Sequence, residues 1–177
     1  MLCFAHGTPD SLAPLIETYK KNIEKAEPIG GYVNDNIMVT SQMLCLEDGD
    51  KARKIATQMT SGYHNSLVFR YLDTFPKPGW VPDWPATIPE PTVEEVAQRV
   101  DMGLMIVGDP DQCAKATQTY VDIGADQLTF GMLSSTMPIE VAVEAVETYG
   151  KHVIPKYDTD PVHSTKRQRD AQVGAPA

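Results

Sequence analysis

The chain has 177 residues, 42% of them apolar, which is enough to bury one sizeable core and sets one domain as the default. A formal net charge of −9 argues against a nucleic-acid partner, because phosphate binding needs a basic face. No apolar run approaches the roughly 18 residues that a membrane span requires.

The first residues, Met1 to Ala5, are short and apolar and read as a β-strand bounded by His6-Gly7. They lack the basic start and long apolar core of a signal peptide. Thr8-Pro9-Asp10 then opens a helix, with Thr8 as the cap and Pro9 at the first helical position. Leu12, Leu15, Ile16, Tyr19 and Ile23 recur at helical spacing, and Glu27-Pro28 should end the helix before the Gly30-Gly31 loop. Asn36 to Leu46 is the most strand-like stretch, with β-branched residues and neither proline nor glycine. A nearly continuous apolar strand between helices predicts a parallel sheet. A further helix is expected from about Asp50 towards Tyr71.

Residues 74–91 differ in kind, holding six of the fourteen prolines and both tryptophans, Trp80 and Trp84. Proline at that density forbids helix and central strand, so an extended loop is predicted, of the kind that serves as a lid or binding segment. Order returns at Thr92, which with Glu95 forms a capping box. Leu104 to Val107 is a brief apolar stretch before Gly108. Asp109-Pro110-Asp111-Gln112 starts another helix, which stops at Gly124. Gln127 to Phe130 is a short strand, and Pro138 begins the last helix. Beyond His152-Val153-Ile154-Pro155 a polar tail is expected over residues 158–177. Its basic cluster, Lys166-Arg167-Gln168-Arg169, reads as solvated or locally docked. This order of elements fits part of an α/β barrel or an open α/β sheet.

Three well-separated cysteines, Cys3, Cys45 and Cys113, offer no C-x-x-C pair. A disulfide framework is not expected, and the cytoplasm is the compartment this usage suggests. Cys113 reads as a small buried hydrophobe. The histidines His6, His64, His152 and His163 lack zinc-ligand spacing, so no metal is expected.

The run Val107-Gly108-Asp109-Pro110-Asp111-Gln112, a helix, and Gly124-Ala125-Asp126-Gln127-Leu128-Thr129-Phe130 resembles the final repeat of the bacterial luciferase-like superfamily. The terminal Val153-Ile154-Pro155 matches that pattern too. The resemblance covers roughly residues 1–157 and implies a (β/α)8 TIM barrel that binds FMN or a deazaflavin. Met1–Ala5, Asn36–Leu46 and Gln127–Phe130 would then be the last three strands. The Pro/Trp-rich loop would fall where these enzymes carry an active-site lid.

A full barrel needs about 250 residues, so the resemblance predicts a C-terminal portion without the middle loops that hold the flavin phosphate. Such a fragment would be inactive alone. The implied activity is a cytoplasmic flavin-dependent monooxygenase or oxidoreductase acting with oxygen on a small organic substrate, homo-oligomeric at full length. Two alternatives stand beside it: a non-catalytic subunit that completes a barrel with another chain, and an independent small α/β domain.

Barrel active sites lie at the C-terminal ends of the strands, where His6, Glu47 and Phe130 with Gly131 would sit. His6 is a candidate for hydrogen bonding or proton transfer, against the plainer reading of a structural histidine. Glu47 equally reads as a strand end before a helix cap. Trp80, Trp84 and Phe130 are the candidates for contacting substrate; the tryptophans could instead anchor a costly loop.

Overall fold

The structure is a computed structural model, and it describes residues 1–5, 7–59, 79–83, 86, 91–132 and 137–173. Strand β1 (Leu2–Phe4) leads to helix α1 (Pro9–Ile23), and β2 (Met38–Cys45) leads to α2 (Gly49–Gln58). Then come α3 (Val93–Asp101), β3 (Met105–Gly108), α4 (Pro110–Asp122), β4 (Gln127–Met132) and α5 (Ile139–His152). A short α6 (Ile154–Tyr157) and α7 (Ser164–Val173) complete the described chain.

Local chemistry explains most boundaries. Thr92 accepts from the Glu95 amide while the Glu95 carboxylate accepts from the Thr92 amide, the expected reciprocal cap of α3. Asp109 and Gln112 do the same for α4. Gly124 ends that region at φ +90, a conformation that L side chains rarely adopt. Helix α1 stops at Ile23, earlier than Glu27-Pro28 suggests, and α2 stops at Gln58; the rest of the helix expected towards Tyr71 lies outside the described residues.

All strand pairs are parallel, and β2 is the centre. Strand β1 pairs with Met38–Thr40, β4 with Met38–Met43 and β3 with Gln42–Cys45. Because β4 shares residues with each of the other two, it must occupy one edge of β2 and they the other. Hydrogen bonding agrees. Ala5 donates to Thr40 and Leu46 donates to Gly108, both from even positions of β2, whereas Gln127 donates to Ile37. Strand β3 thus continues the edge that β1 leaves after Phe4. The apolar stretch Leu104–Val107, not read as a strand in the sequence, is the piece that fills this position.

One face of the sheet is covered. Odd-numbered Ile37, Val39, Ser41, Met43 and Cys45 are buried, with Cys3 beside Val39 and Phe130 beside Ser41 in register. Helices α4 and α5 pack on it. The other face divides in two. Met38, Thr40 and Gln42 are half-buried, and their register neighbours Leu2 and Phe4 are 54% and 51% exposed. Further along the same face, Leu44 and Leu46 are fully buried. The chain travels towards the β1 edge through α2 and back again through α4. Right-handed crossovers in opposite directions put their helices on opposite faces, so α2, which packs on β2 and β3, roofs the C-terminal half.

The four described strands make an open sheet, with the far edges of β1 and β4 unpaired among the described residues. The segment expected as a polar tail carries α7, which docks without an apolar stripe. The Gln172 amide bonds to both the N–H and the carbonyl of Val33, and Gln168 does the same at Asp35. Lys20 bridges Asp35 and Asp126 at 2.9 Å each, closing the N-terminal end of the sheet; those two carboxylates outweigh burial and raise its pKa.

Candidate functional site

The C-terminal edge of the sheet gathers the turns after β2 and β3. Asp48 caps α2 by accepting from the Lys51 amide at 2.9 Å, and Asp109 caps α4 by accepting from the Asp111 and Gln112 amides. The two turns interlock through Gln112. A Cβ on Gly49 would stand 2.5 Å from Gln112 Oε1, and one on Gly108 only 2.3 Å from the same atom. Neither position has room for a side chain. Gly108 also sits at φ +152, so this edge is built by backbone approach.

Glu47, exposed at the end of β2, lies with Oε1 3.3 Å from His152 Nε2. That nitrogen is buried and makes no hydrogen bond, so the pair is a close approach without an aligned donor. Lys51 reaches Glu144 at 3.1 Å across the same edge. Beneath it, on the covered face, the Tyr149 hydroxyl is 2.7 Å from Thr117 Oγ1, and Thr117 donates to the Cys113 carbonyl. Burial pushes the Tyr149 phenol up to about 12, against the hydrogen bond it shares with Thr117. Burial likewise raises the Tyr120 phenol, whose hydroxyl donates to the Gly103 carbonyl.

The sequence candidates fare differently. His6 and Trp84 lie outside the described residues. Trp80 is 63% exposed, while its neighbour Val81 is buried. Phe130 meets Tyr149 edge-on at 4.9 Å, which turns its ring to the helix-covered face and away from the open one. Cys113 is fully buried. On the open face, Thr40 and Thr129 join their hydroxyls at 2.9 Å, with exposed Phe4 in register beside Thr40 and half-buried Gln42 two residues along. Sequence reading passed over these threonines; their alternation with Val39, Ser41, Leu128 and Phe130 was the available signal.

A flavin phosphate does not fit the described residues. Helix N-termini are the usual anion sites. Here each of α1 to α5 carries an acidic residue in its first turn: Asp10, Asp50, Glu94 with Glu95, Asp111 and Glu140. The first-turn amides of α2, α3 and α4 are already engaged by their own caps. Among the described residues no group of three or more His, Cys, Asp or Glu is placed to hold a metal.

No model of a known protein family matches the chain, and no curated protein sequence does. Solved structures do. The monooxygenase RslO1 from Streptomyces bottropensis superposes with a TM-score of 0.55 over 88% of this chain, at 16% identity. What this likeness shows is the fold. The coenzyme F420-dependent tetrahydromethanopterin reductase from Methanopyrus kandleri aligns over 85% of the chain with a TM-score of 0.43 and 18% identity. The chain spans only 41% and 43% of those two proteins, and the fold it shares is that of a part of the monooxygenase. Among the described residues no helix is long and apolar enough to cross a membrane.

Proposed function

We propose that the chain is the C-terminal part of a luciferase-like, flavin-dependent oxidoreductase or monooxygenase, whose substrate and cofactor meet at the C-terminal edge and open face of the sheet. The observation that carries this reading is the fold of its last repeat. Val107 to Phe130 folds as strand end, Asp109-capped helix, positive-φ Gly124 and parallel strand, within a chain whose fold follows part of a monooxygenase. The uncovered half of the sheet supports it as well. A parallel sheet is normally buried on both faces, and a (β/α)8 barrel would turn Phe4, Thr40, Gln42 and Thr129 towards its interior.

FMN or a deazaflavin, when bound, would supply hydride or activate oxygen, with its phosphate held by segments other than the described ones. This chain's own contribution is binding and shielding. Thr40, Thr129 and Gln42 offer hydrogen-bonding groups on a face otherwise formed by Phe4, Leu2 and Met38. Trp80 and Trp84 would close over an apolar substrate and keep water away, tethered in part by buried Val81. His6, directly after β1, would orient substrate or move a proton.

The test is a pair of flavin titrations followed by fluorescence quenching. The isolated chain should bind neither FMN nor the deazaflavin tightly. A polypeptide that joins it to the first five βα units of a barrel should bind one of them and reoxidise it in a substrate-dependent way. Submicromolar binding by the isolated chain overturns the partial-barrel reading; no flavin binding by the joined polypeptide overturns the flavin reading.

A further inference from the structure

The three cysteines are not equivalent. Cys3 stands alone on β1, whereas Cys45 ends β2 and Cys113 lies in the first turn of α4, both fully buried. Gly108 brings them together. Its Cα is the register partner of Cys45, and its carbonyl accepts from the Leu46 amide at 3.1 Å and from Cys113 Sγ at 3.6 Å. The Cys45 and Cys113 thiols are neighbours, and each shifts the other's pKa. The end of β2 and the first turn of α4 therefore meet at Gly108.

We propose that Cys45 and Cys113 form an oxidisable dithiol, a site that closes to a disulfide when hydrogen peroxide reaches it and then ties the end of β2 to the first turn of α4. The inference rests on sulfur placement and does not depend on the flavin reading. Cys45 is the attacking sulfur: its contact with Cys113 lowers its pKa, and the same contact with burial raises that of Cys113. Attack on peroxide breaks the O–O bond, leaving Cys45 as a sulfenic acid, and the departing hydroxide takes the thiol proton as water. Cys113 sulfur then attacks Cys45 sulfur, the S–O bond breaks and a second water leaves with the Cys113 proton. Two electrons and two protons pass from the thiols to one peroxide.

The consequence is conformational. The disulfide would tie together the two ends of a long segment, which restricts the unfolded chain far more than a short loop would. It would also fix the Gly108–Asp109 turn against the end of β2.

The experiment treats the whole chain with hydrogen peroxide, alkylates it in denaturant and maps the peptides by mass spectrometry, with and without a phosphine reductant. The expected result is one reducible Cys45–Cys113 link, with Cys3 still alkylated. Melting temperature should rise by roughly 5–10 °C on oxidation and fall back on reduction. Cys113→Ser, close in size, should lose both the link and the shift. Three alkylated cysteines after peroxide, a link through Cys3, or irreversible sulfinic acids without any link would each overturn the proposal. The wild-type peptide map decides the question even where the variant folds poorly.

Discussion

The two faces of one strand tell opposite stories. On β2, Val39 is wholly buried under helices while Thr40, the next residue, is half-buried beside an exposed Phe4. Both belong to a central parallel strand, which by itself predicts burial on both sides. The covered face is buried: Cys3, Val39, Met43 and Cys45 are shielded, α4 and α5 pack on β2, and Phe130 meets Tyr149 edge-on. The other is closed only where α2 roofs Leu44 and Leu46. A face that mixes threonine and glutamine with phenylalanine and leucine is built neither for water nor for a sealed core. In the barrel proposed above, that face would line the interior.

The sharpest way to break this comparison is to place the same charge on both sides. Val39→Asp would bury a carboxylate without a partner, costing several kcal/mol, a large part of a typical domain's total stability. In urea unfolding it should leave no cooperative transition. Thr40→Asp, one residue on, should cost about 1 kcal/mol, chiefly the lost contact with Thr129. If both variants unfold alike, the open face is not open. Truncation sharpens the boundary within that second face. Leu44→Ala should destabilise by about 2–4 kcal/mol, and Met38→Ala by under about 1, because only the first leaves a cavity.

Smaller effects test the C-terminal edge. Asp109→Ala removes the acceptor for two α4 amides and should cost about 1 kcal/mol in thermal unfolding. Tyr149 gives a pH signature. Burial raises its folded-state pKa to about 12 from the ordinary tyrosine value near 10, so folding favours the neutral phenol. The stability this contributes is complete below pH 10 and is lost as pH rises towards 12. Tyr149→Phe should flatten that alkaline decline, at the expense of about 1 kcal/mol near neutrality from the bond to Thr117.

Much of the fold was legible because local rules carried it. The caps at Thr92 and Asp109 formed as their spacing required, and Gly124 took the positive φ that ends a helix. The three stretches read as strands are strands, in parallel register with one another. Strand β3 was missed because four apolar residues carry no periodicity of their own; only the vacant edge of β2 beyond Phe4 makes them a strand. Helix α7 escaped because it docks through glutamine amides on the backbone of residues 33–35, and hydropathy reading looks for an apolar stripe.

The candidate site was less legible. Phe130 was expected to face substrate, but alternation along β4 sets it with Leu128 on the helix side and leaves Thr129 on the open face. The Cys45–Cys113 contact joins residues far apart in sequence, and no spacing rule reaches that distance. Parity along a strand and capping at a turn are short-range effects, so the sequence by itself determined where elements begin, end and alternate. Which face is covered, which edge is shared by β1 and β3, and which two thiols meet depend on how distant segments pack. Those questions only the tertiary structure decided.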